Sequence, residues 1–333
     1  MSNYSYLSRR KFFNYIKLSF VFLVTSCTKV SKNIVVGFQK SFFPESFKNL
    51  FPKNWDRENL DLKEIYNPKN FHIYKKLDYI LINDGWINKI KFDDFTSLDT
   101  KFYSRLSDKS INYLSSFDEN ISNKLFPIGV IPYAVVIKNN EDIKNIAKES
   151  WDFLLFKDLK GKIILPNSPR IILSIAEKVD DQKALSKIIN QQNIYNDKYA
   201  LDWFLNSKAV IAVLPYSVCQ TISKIDSRIS LVFPRNGVPL LWQFFLCKSF
   251  SNQKPLLNWI NSLENTSVLK NLLKDGWYLP FKDKYIQDFY SENFKVTKNG
   301  PSNECWKNSW SLPNINKTEK IEIERLWKTL LTP

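Results

Sequence analysis

Two oppositely charged side chains stand in turn-like stretches directly after apolar runs, and they are the first candidates for chemistry. Asp84 lies in Asn83-Asp84-Gly85-Trp86, after Asp78-Tyr79-Ile80-Leu81-Ile82; Arg170 closes Asn167-Ser168-Pro169-Arg170, after Lys162-Ile163-Ile164-Leu165. A loop between the carboxyl end of a buried strand and a helix start is where α/β proteins hold ligands. Aromatic and amide side chains stand near other apolar runs: Phe38 and Gln39 at the end of 33–38, Tyr133 within 127–139, Tyr216 after 209–214, and Trp242-Gln243 within 241–246. The set offers one acid, one base, several amides and many rings, which suits gripping a small solute by hydrogen bonds, a single ion pair and stacking. Bond-making chemistry lacks a constellation. The single histidine, His72, has polar neighbours, and no Gly-x-Ser-x-Gly elbow, phosphate-cradling loop or dinucleotide fingerprint occurs. Cys27, Cys219, Cys247 and Cys305 lack the pair spacing of a metal site, and no disulfide framework is indicated. No catalytic activity, cofactor or metal is therefore expected.

Cys27 has a chemistry of its own. Ser8-Arg9-Arg10-Lys11-Phe12-Phe13 is similar to a twin-arginine export signal, a short apolar core spans 18–25, and Val24-Thr25-Ser26-Cys27 resembles a lipobox. Four basic residues and no acidic one precede Cys27. The expectation is a signal over 1–27 that ends at a lipidated Cys27 and leaves the body anchored to a bacterial membrane on its periplasmic side. Formal charge is +15 at pH 7, but the lysines are dispersed rather than massed beside aromatic platforms, so nucleic acid is not an expected partner.

The positioning elements read as an α/β chain. Buried runs at 33–38, 78–82, 162–165, 209–214 and 229–233 suit parallel or sandwiched strands. Gly37 is expected to turn the chain tightly toward a cleft. Helical spacing covers 140–156, 170–178, 181–192, 198–206 and 254–263, and a last amphipathic helix with Leu269, Leu272 and Leu273 is stopped by Gly276. Ser168 is the expected N-cap and Pro169 the first residue of the helix carrying Arg170. The span 44–76 has helix-like pieces, including 44–51, but no clear assignment. The last fifty residues carry Trp306, Trp310 and Trp327 and read as a C-terminal helical cap.

Five landmarks in order give these elements a family likeness. Trp151-x-x-Leu154, then Leu159-Lys160-Gly161-Lys162-Ile163-x-Leu165 and a polar loop ending in Arg170, resembles the second-lobe entry of the periplasmic spermidine/putrescine-binding proteins of ABC importers. The stretch from Asp78 to Asp84 with Ser97-Leu98-Asp99, the Pro132-Tyr133 crossing, Pro234-x-x-Gly237 with Trp242, and Gly276-Trp277-Tyr278-Leu279-Pro280 follow the same outline. The resemblance implies a type II solute-binding fold of two α/β lobes with two hinge crossings: lobe 1 over 33–135 and 241–290, lobe 2 over 136–240, and a C-terminal helical extension over 291–333. It implies a cleft lined by Phe38, Gln39, Asn83, Asp84, Trp86, Tyr133, Asn167, Ser168, Arg170, Tyr216, Trp242 and Gln243. A small solute and a membrane ABC permease are the implied partners. The family's acidic amine-binding positions are occupied here by Asn167, Ser168, Ile171 and Phe244, which points away from polyamines toward a neutral or singly charged ligand stacked on Trp242. The other reading is an exported structural or regulatory lipoprotein on the same scaffold, without a transported ligand.

Overall fold

A computed structural model describes residues 33–39, 43, 45–62, 71–138, 140–195, 199–282, 300–315 and 317–331. Arg9, Arg10 and Cys27 lie outside the described residues, as does the side chain of His72. The chain divides into a unit over 1–34 and a compact unit over 35–333, and the compact unit holds the sheet and its helices.

Its strands are β1 (Ile34–Phe38), β2 (Trp55–Asn59), β3 (Tyr79–Asn83), β4 (Phe126–Lys138), β5 (Ile163–Leu165), β6 (Gln192–Tyr195), β7 (Ile211–Pro215), β8 (Ile229–Val232), β9 (Pro239–Cys247) and β10 (Trp310–Ser311). The principal helices are α1 (Glu45–Lys48), α2 (Asp108–Leu114), α3 (Glu141–Glu149), α4 (Pro169–Ala176), α5 (Ala184–Gln191), α6 (Ala200–Asn206), α7 (Gln253–Ser262), α8 (Thr266–Lys274), α9 (Asn303–Asn308) and α10 (Lys317–Leu331).

The long strand β4 organises the sheet. Its first half, through Pro132, pairs antiparallel with β9; from Tyr133 onward it pairs antiparallel with β7, and from Val135 with β8 on its other edge. Beyond β9 lie β3, then β1 parallel to it, then β2; beyond β7 lie β5 and β6, both parallel. Two strand groups thus meet in one strand. Twelve of its thirteen residues are buried, as the apolar run Phe126-Pro-Ile-Gly-Val-Ile-Pro-Tyr-Ala-Val-Val-Ile requires.

One face of the first group rests on an aromatic core. Phe47 and Trp277 approach to 4.5 Å between ring centroids, Phe51 and Trp259 to 5.0 Å, Trp55 and Tyr79 to 5.2 Å, and Phe245 and Trp259 to 5.4 Å. Burial of such rings is worth about 1.5–3 kcal/mol each for side chains of this size, so this cluster is a main source of cohesion. Gly129 admits it: a Cβ there would stand 2.4 Å from Trp277 Cζ3.

Several local expectations change in the fold. Gly37 does not turn the chain. It stays within β1, where a Cβ would come 2.5 Å from Leu60 Cδ1 and 2.8 Å from Leu77 Cδ1, so packing rather than turning requires glycine. The helix expected over 140–156 ends at Glu149, because Ser150 is extended (φ −153°, ψ 178°), and two 3-10 turns, Asp152–Leu155 and Lys157–Leu159, come next. The Ser150 hydroxyl donates to Asp152 Oδ2 at 2.6 Å, a local bond that competes with the helix. Trp151 is then free to donate Nε1 to Gly237 O at 2.9 Å. The helix expected to run to 192 stops at Gln191 and passes directly into β6, and β2 forms within the span that resisted assignment. Around Gly276 the expectation holds: it comes after the C-cap Asp275 of α8 with φ +76°, the left-handed geometry of a helix stop.

Cys219, Cys247 and Cys305 are free and buried. Burial raises all three thiols, Cys247 and Cys305 to about 12. In a Cys27→Ser chain at pH 8, DTNB should therefore leave the native protein unreacted and titrate three thiols after denaturation. Rapid labelling of any native thiol would contradict this packing.

Candidate functional site

The junction of the two strand groups is bridged by an ion pair. β3 ends at Asn83, whose side chain accepts from Gly85 N at 3.0 Å and starts the 3-10 helix Asp84–Lys89. Asp84, first in that helix, is only 2% exposed. From the other group, α4 opens with Ser168 at its N-cap and Pro169 in its first turn, which sets Arg170 at the junction. Arg170 Nη2 meets Asp84 Oδ2 at 2.5 Å, and Nη1 lies 3.4 Å from the Asp84 carbonyl.

The contact continues into aromatic residues. Tyr113 of α2 donates its hydroxyl to Asp84 Oδ2 at 3.1 Å. Its ring lies 5.1 Å from Trp242 and 6.1 Å from Phe244, both on β9. Trp242 Nε1 in turn donates to Ser311 Oγ of β10 at 2.9 Å. A continuous series results: Arg170, Asp84, Tyr113, Trp242, Ser311. Burial raises the Tyr113 hydroxyl well above its ordinary value, so it remains a donor. Burial also raises the Asp84 carboxyl, with Arg170 and then Tyr113 opposing the rise. Asp84 Oδ1 is buried with no hydrogen-bond partner. It is an acceptor at the junction still open to a donor from a ligand.

The structure thus brings Asp84, Arg170 and Trp242 together, and Tyr133 lies within electrostatic reach of Arg170. Other expected cleft residues sit elsewhere or serve local roles. Phe38 is in the aromatic core, 6.3 Å from Phe51 and 6.0 Å from Phe43. Trp86 is half-buried under Lys89 Nζ at 4.6 Å. Asn167 is exposed, and Ser168 is partly exposed with no side-chain capping bond. Tyr216 is buried edge-on to Phe233 at 5.2 Å and packs against Gly276, whose added Cβ would lie 2.8 Å from its ring. Gln39 and Gln243 bury side-chain oxygens without hydrogen-bond partners, and Gln243 also buries its Nε2 so. Gln243 pairs with Asn83 across β9 and β3, and so faces the side of the sheet opposite Trp242. Sequence reasoning missed Tyr113 and Ser311. Tyr113 lies in a stretch to which the sequence reading assigned no element, and Ser311 falls in a stretch whose role its sequence did not reveal. Among the described residues, no group of three or more His, Cys, Asp or Glu could hold a metal ion, and no helix is long and apolar enough to cross a membrane.

No protein-family model and no curated protein matches the sequence. Solved structures do match the fold. The spermidine/putrescine ABC transporter substrate-binding protein PotD of Streptococcus pneumoniae superposes with a TM-score of 0.63 at 13% identity, over 90% of this chain and 98% of that one. The chain has the two-lobed type II periplasmic binding-protein fold. The TpPotD lipoprotein of Treponema pallidum gives a TM-score of 0.60 at 10% identity over 89% and 98% of the two chains. The ferric binding protein of Campylobacter jejuni gives 0.56 at 13% identity over 80% and 97%. Within the type II fold, the Asp84–Arg170 junction falls where strand ends of the two groups face each other.

Arg170→Met should destabilise the protein by about 3–5 kcal/mol at pH 7, because it leaves a buried carboxylate unpaired. Without its counter-charge, Asp84 has a folded pKa further above its unfolded value. The deficit is then small below the unfolded value near 4 and grows as pH rises through the folded one. Urea unfolding at pH 4 and 7 measures this. The Asp84→Leu/Arg170→Met double variant should recover most of the loss at pH 7; a double variant as weak as the single one would refute the pairing.

Proposed function

We propose that this chain is an extracytoplasmic solute-binding lipoprotein that delivers a small solute to an ABC permease in the membrane. The observation that carries the reading is the junction itself: a carboxylate and closely packed, tilted rings of the first strand group meet a guanidinium of the second, where a type II fold can close on a ligand by hinge rotation. The lobes that would move are 33–135 with 241–290, and 136–240. The structural neighbours are consistent with this role, since two of them are described as ABC transporter substrate-binding proteins.

The ligand is neutral or singly charged. A polyamine has two or more ammonium groups, each needing a partner, since an unpaired buried charge costs several kcal/mol. Asp84 is already engaged by Arg170 and keeps one unpartnered oxygen, enough for a single donor. Export and anchoring rest on the Arg9-Arg10 pair and Cys27; the Treponema pallidum neighbour is itself a lipoprotein, which agrees with that arrangement.

A second reading has its own support. Asp84 and Arg170 already engage each other, and Trp242 is only 1% exposed, which fits an exported structural or regulatory lipoprotein on a binding-protein scaffold. Thermal-shift screening separates the two: a binder gains about 2.7 kcal/mol at a ligand concentration a hundredfold above Kd. Flat curves across amines, amino acids, sugars and anions would favour the second reading. Calorimetry with spermidine should show weak or no binding. Tight binding that survives physiological salt would overturn the ligand class proposed here.

The anchor is tested separately. Cys27→Ser should release the protein from membranes under carbonate wash, and Arg9→Lys with Arg10→Lys should block export, as read by cell fractionation. Unchanged membrane association of the Cys27→Ser chain would refute lipidation.

A further inference from the structure

A cavity of about 340 Å³ opens against Trp242, built by residues of the first strand group and of α9. Of the residues expected to line a cleft, Trp242 alone borders it. Its walls are tied together by main-chain bonds. Val130 of β4 and Tyr278 exchange both backbone hydrogen bonds, at 2.9 and 3.0 Å, which brings Leu279 and Pro280 to the rim. Pro280 O accepts from Ser107 N at 3.0 Å and from Ser110 Oγ at 2.7 Å, Leu106 and Phe281 form an antiparallel bridge, and Lys282 N donates to Arg105 O at 2.8 Å. The start of α2 and the stretch 278–282 are thus held as one edge, which sets Asp108, Lys109 and Lys282 around one opening. Trp306 of α9 adds a further wall, its ring 4.6 Å from that of Tyr278.

The charges on these walls do not balance. Lys109 Nζ donates to Ser309 O at 2.6 Å and lies 3.5 Å from Lys307 O, both neutral carbonyls. Lys282 is exposed. Among the described residues neither lysine makes an ion pair, nor does Asp108, the single acid of the lining. Burial holds the Lys109 ammonium below its ordinary value, with only the Cys305 thiol acting in the other direction. A half-buried cation without a counter-charge, beside the apolar surfaces of Val130, Leu279, Pro280 and two indoles, suits an anion with an apolar body. Two lysines and one carboxylate leave one positive charge, which matches a single negative one.

We propose that this cavity is a solute site for a small monocarboxylate with an apolar or aromatic body, its carboxylate held by Lys109 and Lys282 and its body packed on Trp242 and Trp306. The proposal rests on the solute-binding reading and narrows its ligand class to singly negative. Selectivity follows from the local charge. An amine of the same shape would bring a third ammonium to the two lysines, a like-charge contact that rejects it. A neutral amide keeps the apolar contacts but loses the charge-assisted hydrogen bonds. The site is one ring away from the junction, because Tyr113 lies 5.1 Å from Trp242 and donates to Asp84.

Calorimetry on the full chain with Cys27→Ser compares phenylacetate with its neutral amide, phenylacetamide, and its amine counterpart, phenethylamine. Phenylacetate should bind about tenfold tighter than phenylacetamide, and phenethylamine should not bind at millimolar concentration. Lys109→Met should weaken phenylacetate about tenfold, and Lys282→Met, at an exposed side chain, about threefold. Asp108→Asn should tighten it about twofold, a gain that misfolding cannot produce. Phenylacetamide that binds as tightly as phenylacetate would overturn the anion site, and so would unchanged affinity in Lys282→Met and Asp108→Asn together. Inorganic phosphate that binds as tightly as phenylacetate would overturn the role given to the apolar walls. No binding of phenylacetate, benzoate or indole-3-acetate at millimolar concentration would also sink the proposal. The Asp84→Leu/Arg170→Met chain separates this site from the junction. Phenylacetate binding lost there but kept in Lys109→Met would move the ligand to the junction, overturning the cavity and leaving the transport reading intact. Flat curves across every solute class screened would remove the transport reading and this site with it.

Discussion

The Asp84–Arg170 pair sets the terms for the rest of the molecule. Taking a carboxylate and a guanidinium out of water is costly, and their attraction offsets that cost only when geometry is good and further hydrogen bonds are present. Here Tyr113 donates the additional bond, and the pair reaches across two strand groups that, among the described residues, meet in β4. Its net contribution to stability is therefore modest, whereas loss of either partner is expensive. The consequence is positional. While the start of α4 and the end of β3 stay packed together, each charge depends on the other as its counter-charge.

β9 lets one sheet serve two purposes. Along it, alternate side chains face opposite ways. Phe245 joins the aromatic core with Tyr79 and Trp259, which supplies cohesion. Trp242 and Phe244 face Tyr113, which links them to the ion pair. The first face is closely packed but also buries the unpartnered Gln243 amide, and the second carries a carboxylate oxygen without a hydrogen-bond partner. A recognition surface can occupy the second face because the first already secures the fold. The same strand also accepts β10, so the C-terminal stretch is placed by main-chain pairing before any side chain contributes.

Several side chains of this chain bridge the two strand groups directly. In a hinge protein, differential contacts in the closed state stabilise it, and a solute normally supplies them. In this chain the contacts come from Arg170, Lys109, Asn88 and Asn308.

Much of this architecture was legible in the sequence. The apolar runs ending at Asn83 and Leu165, the Ser168-Pro169 helix entry and the Gly276 stop each derive from local rules: strand burial, the fixed φ of proline in a first helical turn and the left-handed freedom of glycine. Asp84, Arg170 and Trp242 stood out as polar or aromatic groups at strand ends or crossings. What no local rule carries is partnership. That Asp84 and Arg170 bind each other, 86 positions apart, is a contact made by the junction of two strand groups. Gly37 looked like a turn because glycine's backbone freedom is visible in sequence, whereas Leu60 and Leu77 crowding its Cα is not. The helix through Trp151 failed because its apolar spacing fits an α-helix, while the pull of Gly237 O on the indole arises only after β9 is in place. The seat of 309–311 on β9 was invisible for the same reason: Ser309 and Ser311 are small polar residues with no pattern of their own, and only the packed body gives them Val238 and Trp242 as partners. Short-range chemistry determined the elements and their ends; long-range contact decided which charges, rings and backbone groups those elements would bring together.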